Sequence, residues 1–194
     1  MGKLRTNVIG FDDAPFPRDH RGDVLLVGTV CSRTRLDGVI SGQVRRDGAN
    51  ATRVMVDAIQ SSQFAAHVRA VLLQGIAVAG FNVVDVHALH DALGVPVIAV
   101  VRRLPDFAAI RKALFSRVRG AERKWRLIER AGELEPVRGV FVQRVGITLD
   151  HARELMAATT LHGNLPEPLR LAHLIAGGVT PSRAGGFGAS RGRA

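Results

Sequence analysis

The stretch AVLLQGIAVAGFNVVDVHALHDALGVPVIAVV, residues 70–101, decides the fold of this chain. It opens with a continuous apolar run, Ala70–Val78, of the kind that forms strands covered on both faces. Turn residues at 80–82 end this run, and apolar residues then recur at helical spacing over Val83–Leu93. A Gly-Val-Pro turn separates this predicted helix from a second run, Val97–Val101, which is rich in β-branched residues. Two buried strands joined by a helix are expected to be parallel neighbours with a right-handed crossover.

Three predicted strands precede this unit, and no helix is predicted between them. They cover Asn7–Phe11, Asp23–Cys31 and Leu36–Val44, and the last two are close enough in sequence to form a hairpin. Asn50 is predicted to cap a helix over Ala51–Ser62. Three antiparallel strands followed by parallel βαβ units, with helices on both faces of a mixed sheet, is the order of a ribonuclease H-like α/β fold. A flavodoxin-like sheet would need a helix between its first strands.

The part of the chain after residue 101 is predicted to be largely helical. Apolar residues recur at helical spacing between Phe107 and Leu134, with a break at Gly120. A half-buried strand is then predicted over Val137–Val145. Two more helices are expected, over His151–Thr159 and Leu169–Ile175.

Length and composition limit the class of protein. A chain of 194 residues with 46% hydrophobic side chains can form one domain with a substantial core. We assign residues 1–182 to this single domain and residues 183–194 to a basic, flexible tail. Cys31 is the only cysteine, which excludes an intramolecular disulfide and suits a reducing cytoplasm. No signal peptide or membrane-spanning run is visible, so we expect a cytoplasmic protein without membrane contact.

Positive charge is unevenly distributed along the chain. The formal net charge is +10, and residues 102–144 carry 12 basic and 5 acidic side chains, whereas residues 1–101 carry 10 and 9. Concentrated positive charge favours polyanions, because their counterions are released on binding. The alternative is an arginine-rich helix surface that contacts only water. The basic segment predicts nucleic acid as a partner, with contacts from five side chains: Arg102, Arg103, Arg123, Lys124 and Arg126.

Two neighbouring aspartates at the end of the first predicted strand are the candidate catalytic residues. Asp12 and Asp13 precede a Pro-rich turn, and neighbouring strand residues point to opposite faces, so at most one can enter a given site. Carboxylate oxygens are the ligands that Mg²⁺ prefers, and the ion would position a water and neutralise phosphate charge. The alternative is a polar strand end in which Asp13 binds a local backbone N–H.

The glycine turn of the opening stretch is a candidate phosphate-binding site. Glycine lets the backbone approach a ligand, and a helix N-terminus attracts anions, so we predict phosphate contact at Gly80, Phe81 and Asn82. Asp85 is a second candidate metal ligand after Asp12. The structural alternative is that Asn82 caps the helix and that Asp85, three residues later, complements its dipole.

Several motifs resemble an uncharacterised archaeal protein family, Domain of Unknown Function 99. They are GFDDAPF at 10–16, QGIAVAGFNVVDVHAL at 74–89, VPVIAVVRR at 95–103, EPLRLAHLIAGG at 167–178 and GASRGR at 188–193. That family is considered a distant relative of endonuclease V. The resemblance implies a ribonuclease H-like fold, and the active nucleases of this kind use Mg²⁺ to cut beside deaminated bases.

Only some of the active-site residues of endonuclease V have a counterpart in this sequence. Asp12 matches the first-strand aspartate of endonuclease V, whereas Gln74 stands where that nuclease has an aspartate, with Gly75 matching the next glycine. The nuclease's glutamate has no clear counterpart over residues 49–55, and the chain has no tyrosine for the strand-separating wedge. A neutral amide is a weaker ligand for Mg²⁺ than a carboxylate, so a two-metal site is hard to assemble.

Three functions remain open at this point. The first is a nucleic-acid-binding protein related to endonuclease V that acts as a Mg²⁺-dependent nuclease. The second is a non-catalytic binding or adaptor module on the same fold, which the missing carboxylates favour. The third is an enzyme acting on a small phosphorylated molecule at the glycine turn. The sequence leaves the substrate and the oligomeric state open.

Overall fold

The computed structural model describes residues 7–180, and a seven-stranded mixed sheet lies at its centre. The strands are β1 (Asn7–Asp13), β2 (Asp23–Ser32), β3 (Arg35–Arg45), β4 (Val68–Gln74), β5 (Ala77–Val78), β6 (Asn82–Val83), β7 (Val97–Val101), β8 (Glu135–Val137) and β9 (Val140–Val145). The helices are α1 (Ala51–Gln60), α2 (Val86–Leu93), α3 (Phe107–Arg117), α4 (Ala121–Arg130), α5 (Leu149–Thr159) and α6 (Glu167–Val179).

The order of the strands confirms the predicted fold class. The sheet runs β3-β2-β1-β4-β7-β9-β8, with β1, β2 and β3 antiparallel to one another. Strands β1, β4 and β7 are parallel to one another, as predicted for the βαβ unit. Strand β9 returns antiparallel to β7, and β8 forms the edge beside it. The carboxyl ends of the three parallel strands therefore meet at one edge of the sheet.

The opening stretch is more divided than its apolar pattern predicts. Strand β4 ends at Gln74 because Gly75, with φ of 78°, turns the chain. Residues 77–83 then form the small ribbon β5–β6, so the helix predicted from Val83 begins only at Val86. Likewise, the single strand predicted over Val137–Val145 is the hairpin β8–β9.

The alternation of side chains along the central strands creates two cores. Ile9 and Val71 belong to a core covered by α1 and α2 on one face of the sheet. Val8 and Leu72, one residue away on the same strands, belong to a core covered by α5 and α6 on the other face. A third, smaller core joins α3 and α4 to strand β6. The predicted placement of helices on both faces is confirmed.

Helix α6 approaches β1 closely at Gly10. A Cβ atom on Gly10 would lie 2.5 Å from the carbonyl carbon of Pro168, and the Thr29 hydroxyl donates to the Pro168 carbonyl. From Pro168 to His173 the helix rises about 7.5 Å. From Gly10 to Asp12 the strand advances about 6.6 Å. Because α6 packs on Gly10 and the two advances are nearly equal, His173 lies beside Asp12.

None of the helices within residues 7–180 is long and apolar enough to cross a membrane. The tail predicted at residues 183–194 lies outside the described part of the chain.

The Gly10 contact predicts a large effect of a single methyl group. We expect Gly10→Ala to lower the free energy of unfolding by about 2–3 kcal/mol, because the helix backbone cannot move without repacking. Gly178→Ala is the control, since nothing lies within 4 Å of a Cβ at this helical position. The control should be neutral or stabilising by up to about 1 kcal/mol. Urea denaturation of the three proteins measures the difference, and equal stabilities would contradict the close packing.

Candidate functional site

Asp12 forms the centre of the candidate site, at the carboxyl end of β1. Its side chain is 9% exposed, and its Oδ2 lies 2.9 Å from Nδ1 of His173 on α6. Its other oxygen, Oδ1, accepts a hydrogen bond from the backbone N–H of Asp13. The His173 side chain is 46% exposed, so the pair joins a buried carboxylate to an imidazole that solvent or a substrate can reach.

The surroundings of Asp12 disfavour its negative charge. Burial raises the pKa of Asp12 to about 6, and the charge of neighbouring Asp13 acts in the same direction. The hydrogen bond and the charge of His173 oppose this rise only in part. A carboxylate held in such surroundings is stabilised by any additional cation or hydrogen-bond donor.

Asp13 faces the opposite side of the strand, as the alternation along a strand predicts. Its Oδ2 accepts a hydrogen bond from the backbone N–H of Ala79, which precedes the glycine turn. Burial also raises the pKa of the Asp13 carboxyl. Asp13 therefore acts on Asp12 through its charge and connects β1 to the turn.

Gln74 lies beside Asp12 on the neighbouring strand. Phe11 is opposite Leu73 in the parallel pair β1–β4, so Asp12 and Gln74 are the next residues and leave the sheet on the same face. The Gln74 Oε1 atom is buried and accepts no hydrogen bond. An orphaned acceptor next to a desolvated carboxylate fits a hard cation, because oxygen atoms are its preferred ligands.

The glycine turn already holds an anionic group of the protein itself. The Asp47 carboxylate accepts a hydrogen bond of 2.8 Å from the backbone N–H of Phe81. Gly80 has φ of 82°, and a Cβ there would lie 2.5 Å from Asp47 Oδ1. Glycine is required at this position because the Asp47 carboxylate occupies the space that we predicted for a phosphate oxygen.

Asn82 does not cap the helix that follows it, so the structural alternative considered for this residue is wrong. It is fully buried, and its Oδ1 accepts from the backbone N–H of Ala51, the first residue of α1. Its Nδ2 donates to the Arg45 carbonyl and to Asn50 Oδ1. Asn50 is the N-cap of α1, as predicted, although its side chain makes no cap hydrogen bond. The amide of Asn82 is thus used inside the protein and has no group left for a phosphate.

Asp85, the second predicted metal ligand, is the N-cap of α2. Its Oδ1 accepts from the backbone N–H of Ala88, and its Oδ2 lies 3.5 Å from the Arg130 guanidinium. The Asp85 carboxylate therefore contacts Ala88 and Arg130 and does not form a metal site with Asp12. Within residues 7–180, no three His, Cys, Asp or Glu side chains are grouped as a metal-binding cluster.

The predicted nucleic-acid contacts divide into exposed and buried residues. Arg102 and Arg103 are exposed and directly follow β7, at the same edge of the sheet as Asp12. Arg123 and Arg126 are exposed on α4. Lys124 is only 4% exposed and donates to the Asp47 carbonyl, so its role is structural rather than phosphate contact. Burial also lowers the pKa of Lys124.

Sequence reasoning did not single out His173 as a site residue. The sequence gives only a weak indication of its position. His173 follows Leu169 by four residues, so both lie on the same side of a helix. Leu169 and Ala172 are fully buried, which places His173 at the edge of the packed face. Its aspartate partner is 161 residues away in sequence, so only the packing of α6 reveals the pair.

The order of strands and helices gives a ribonuclease H-like fold that is similar to the fold of endonuclease V. A complex of Ciona intestinalis endonuclease V with a 24mer DNA, which contains an inosine followed by a ribo-adenosine, superposes with a TM-score of 0.55. That likeness has 13% identity and covers 86% of this chain and 82% of the endonuclease, so it shows the fold. The chain matches the endonuclease dU family over residues 5–180 and belongs to that family.

Two other proteins are more similar to this chain in sequence than endonuclease V is. A UPF0215 protein from Deinococcus radiodurans is 52% identical over 181 residues, which are 93% of this chain and 92% of that protein. A protein of unknown function from Archaeoglobus fulgidus has a crystal structure with a TM-score of 0.84 and 29% identity, covering 90% and 98% of the two chains. Because the first relative comes from a bacterium, the archaeal origin that the resemblance implies is not confirmed.

The raised pKa of Asp12 predicts that this residue costs stability at neutral pH. The folded protein binds the proton of Asp12 more tightly than the unfolded chain, so stability falls as pH rises from about 4 to above 6. We expect Asp12→Asn to be more stable than the original protein by about 1–3 kcal/mol near pH 7.5. The gain should vanish near pH 3, which lies below the ordinary Asp pKa of 3.8, because residue 12 is then largely neutral in both the folded and the unfolded chain.

Urea denaturation in EDTA at the two pH values measures this difference. The control is Asp57→Asn, which removes an exposed carboxylate that pairs with Arg53 on α1. Its effect should stay within about 0.5 kcal/mol. A loss of stability for Asp12→Asn near pH 7.5 would contradict the conclusion that the charged Asp12 carboxylate destabilises the folded protein.

Proposed function

We propose that the protein is a metal-dependent endonuclease whose reaction takes place at Asp12 and His173. The observation that carries this proposal is the buried Asp12 carboxylate, bound to His173 on one side and adjacent to the unpartnered Gln74 Oε1. These groups meet at the carboxyl ends of parallel strands, where ligand sites of α/β sheets form. Asp12 and Gln74 would hold the ion, and Mg²⁺ is the ion that their oxygen atoms favour.

His173 is suited to move a proton during hydrolysis. Its Nδ1 is turned to the carboxylate, which in the neutral imidazole favours the proton on Nδ1 and leaves Nε2 as an acceptor. Nε2 can then take a proton from a water that attacks the phosphorus atom, while the P–O bond to one sugar oxygen breaks and that oxygen takes a proton from solvent. A bound magnesium ion would supply orientation of that water and neutralisation of phosphate charge. Asp12 holds the imidazole in place and stabilises its protonated form.

The exposed arginines at the same edge of the sheet suit a nucleic-acid backbone. Arg102 and Arg103 follow β7 and are close in sequence to Val100, the partner of Gln74 in the sheet. Guanidinium groups bind phosphates through paired hydrogen bonds and release counterions. Arg123 and Arg126 on α4 are proposed as further backbone contacts, whereas Lys124 is not.

Deaminated DNA is the proposed substrate. The family to which the chain belongs is named for endonuclease dU, and a structural neighbour was solved with inosine-containing DNA. Both names refer to bases that have lost an exocyclic amine. We therefore propose cleavage of DNA that contains deoxyuridine, with inosine-containing strands as the next substrates to compare.

A second candidate function is a binding module without catalysis. It is favoured by the neutral side chain at Gln74 and by the absence of a three-member acidic or histidine cluster within residues 7–180. Such a module would bind nucleic acid in a salt-dependent way and would leave the phosphodiester intact.

The nuclease proposal predicts metal-dependent cleavage that requires both members of the pair. A labelled duplex with one deoxyuridine should be cut in Mg²⁺ or Mn²⁺, not in EDTA, and more slowly when thymidine replaces deoxyuridine. We expect Asp12→Asn to reduce the rate by roughly 100-fold or more. His173→Ala should cost roughly 100-fold, with partial recovery on adding imidazole, because the exposed position leaves room for the added base.

Matched variants make this test specific. Asp57→Asn and His162→Ala change an exposed aspartate and an exposed histidine away from the pair, and both should retain full activity. Binding without cleavage by the original protein would favour the non-catalytic module. Cleavage that survives Asp12→Asn would remove the proposed site.

The orphaned oxygen of Gln74 leads to a separate prediction about metal affinity. Gln74→Asp adds a second negative ligand beside Asp12, so we expect Mn²⁺ to bind about 10-fold more tightly or better. Isothermal titration with Mn²⁺ measures the change, and Gln60→Asp on the exposed side of α1 is the control. Unchanged affinity for Gln74→Asp would show that residue 74 does not face the ion.

A further inference from the structure

A separate cavity of about 500 Å³ is lined mainly by arginines. It lies between the loop after β1, the end of β3 and the end of α3. Five of its nine lining residues are arginine and two are aspartate, which leaves a formal charge of +3 with His20 neutral. The arginines are Arg18, Arg21, Arg45, Arg46 and Arg117. We call this feature the arginine cavity.

Most of this positive charge is not neutralised by the protein. Within residues 7–180, the guanidinium groups of Arg18, Arg21 and Arg117 form no ion pair or hydrogen bond. Arg45 has only a long, exposed ion pair of 3.6 Å with Asp23. Clustered cations repel one another, so the fold tolerates an electrostatic cost that a bound anion would relieve.

Arg46 is held in a fixed position at this cavity. Its guanidinium lies 5.5 Å from the centre of the Phe16 ring and donates to the His20 carbonyl. Its Nε is buried and makes no hydrogen bond, although it lies 3.4 Å from Asp47 Oδ2 at ion-pair distance. A guanidinium that is already ordered loses little further conformational freedom when it binds a planar or tetrahedral anion.

The arginine cavity is linked to the candidate active site through two hydrogen bonds. Asp13 accepts from the backbone N–H of Ala79, and the Ala79 carbonyl accepts from the backbone N–H of Asp47, which lines the cavity. The loop that carries Arg18 and Arg21 also follows directly from Asp13. The cavity and Asp12 therefore lie at the same edge of the sheet, because Arg45 ends β3 at the edge where β1 ends.

We infer that the arginine cavity binds phosphate groups of the nucleic-acid strand that reaches Asp12 at the same edge of the sheet. This inference rests on the proposed nuclease function and adds a binding site to it. The cavity assembles four arginines from the nearly neutral first half of the chain with Arg117 from the basic segment. Arginine forks match phosphate geometry, and an open cavity of this size admits a backbone phosphate with its sugar.

The test compares two double variants that remove the same charge. Arg18→Gln/Arg117→Gln removes two exposed arginines from the cavity. Arg33→Gln/Arg69→Gln is the control, because both exposed residues lie near the opposite ends of β1 and β4 from Asp13 and Gln74. Fluorescence anisotropy in EDTA measures binding of labelled single-stranded DNA, duplex DNA and RNA over a range of salt concentrations.

We expect the cavity variant to bind about 10-fold more weakly at low salt than the control variant. Its slope of log affinity against log salt should fall by about 0.7–0.9 for each phosphate contact that is lost. In the cleavage assay, its KM should rise while kcat at saturating substrate stays the same. The three nucleic acids distinguish which kind of strand supplies the phosphates.

The outcomes separate this inference from the proposed function. Equal affinities and salt slopes for the two double variants would overturn the cavity inference while leaving nuclease activity in place. A protein that binds no nucleic acid would overturn both. Thermal unfolding of each variant confirms that the fold is intact before binding is compared.

Discussion

The close contact between α6 and β1 is the constraint on which the candidate site depends. Because residue 10 is glycine, the helix backbone at Pro168 can lie directly on the strand. The helix then runs along β1 with nearly the same advance as the strand, and His173 reaches Asp12. Two residues that are 161 positions apart in sequence are thus placed by backbone packing rather than by a flexible loop.

The energetic character of the site follows from that packing. Covering the end of β1 with α6 removes Asp12 from water, and Asp13 adds a second negative charge beside it. Both effects raise the pKa of the Asp12 carboxyl to about 6, so the folded protein holds a group that would gain from a cation. Gln74 Oε1, buried without a donor, is a second group in the same situation. Sites with such unmet interactions are typical of function rather than of stability.

The glycine turn illustrates how a local motif can have a different use from the one it suggests. Gly80 and the helix beyond it have the composition of an anion-binding turn. The anion that lies there is the Asp47 carboxylate, and Asn82 closes the start of α1 rather than of α2. The turn therefore joins β3, α1 and the β5–β6 ribbon, and Lys124 strengthens the junction from α4. Positive charge instead collects in the arginine cavity, where the linear charge count of the first half predicted almost none.

The sequence alone determined the fold class, the three-stranded start, the parallel βαβ unit and Asp12 as a strand-end carboxylate. Each of these follows from local periodicity, turn residues or alternation, which act over short distances along the chain. It also indicated that Asp12 and Asp13 face opposite sides of β1. Only the tertiary structure decided that His173 pairs with Asp12, that Lys124 is buried and that distant arginines share one cavity. These three contacts depend on which face of a helix packs against which strand. Contacts between segments that are far apart in sequence leave no periodic pattern in either segment, so the sequence alone does not predict them.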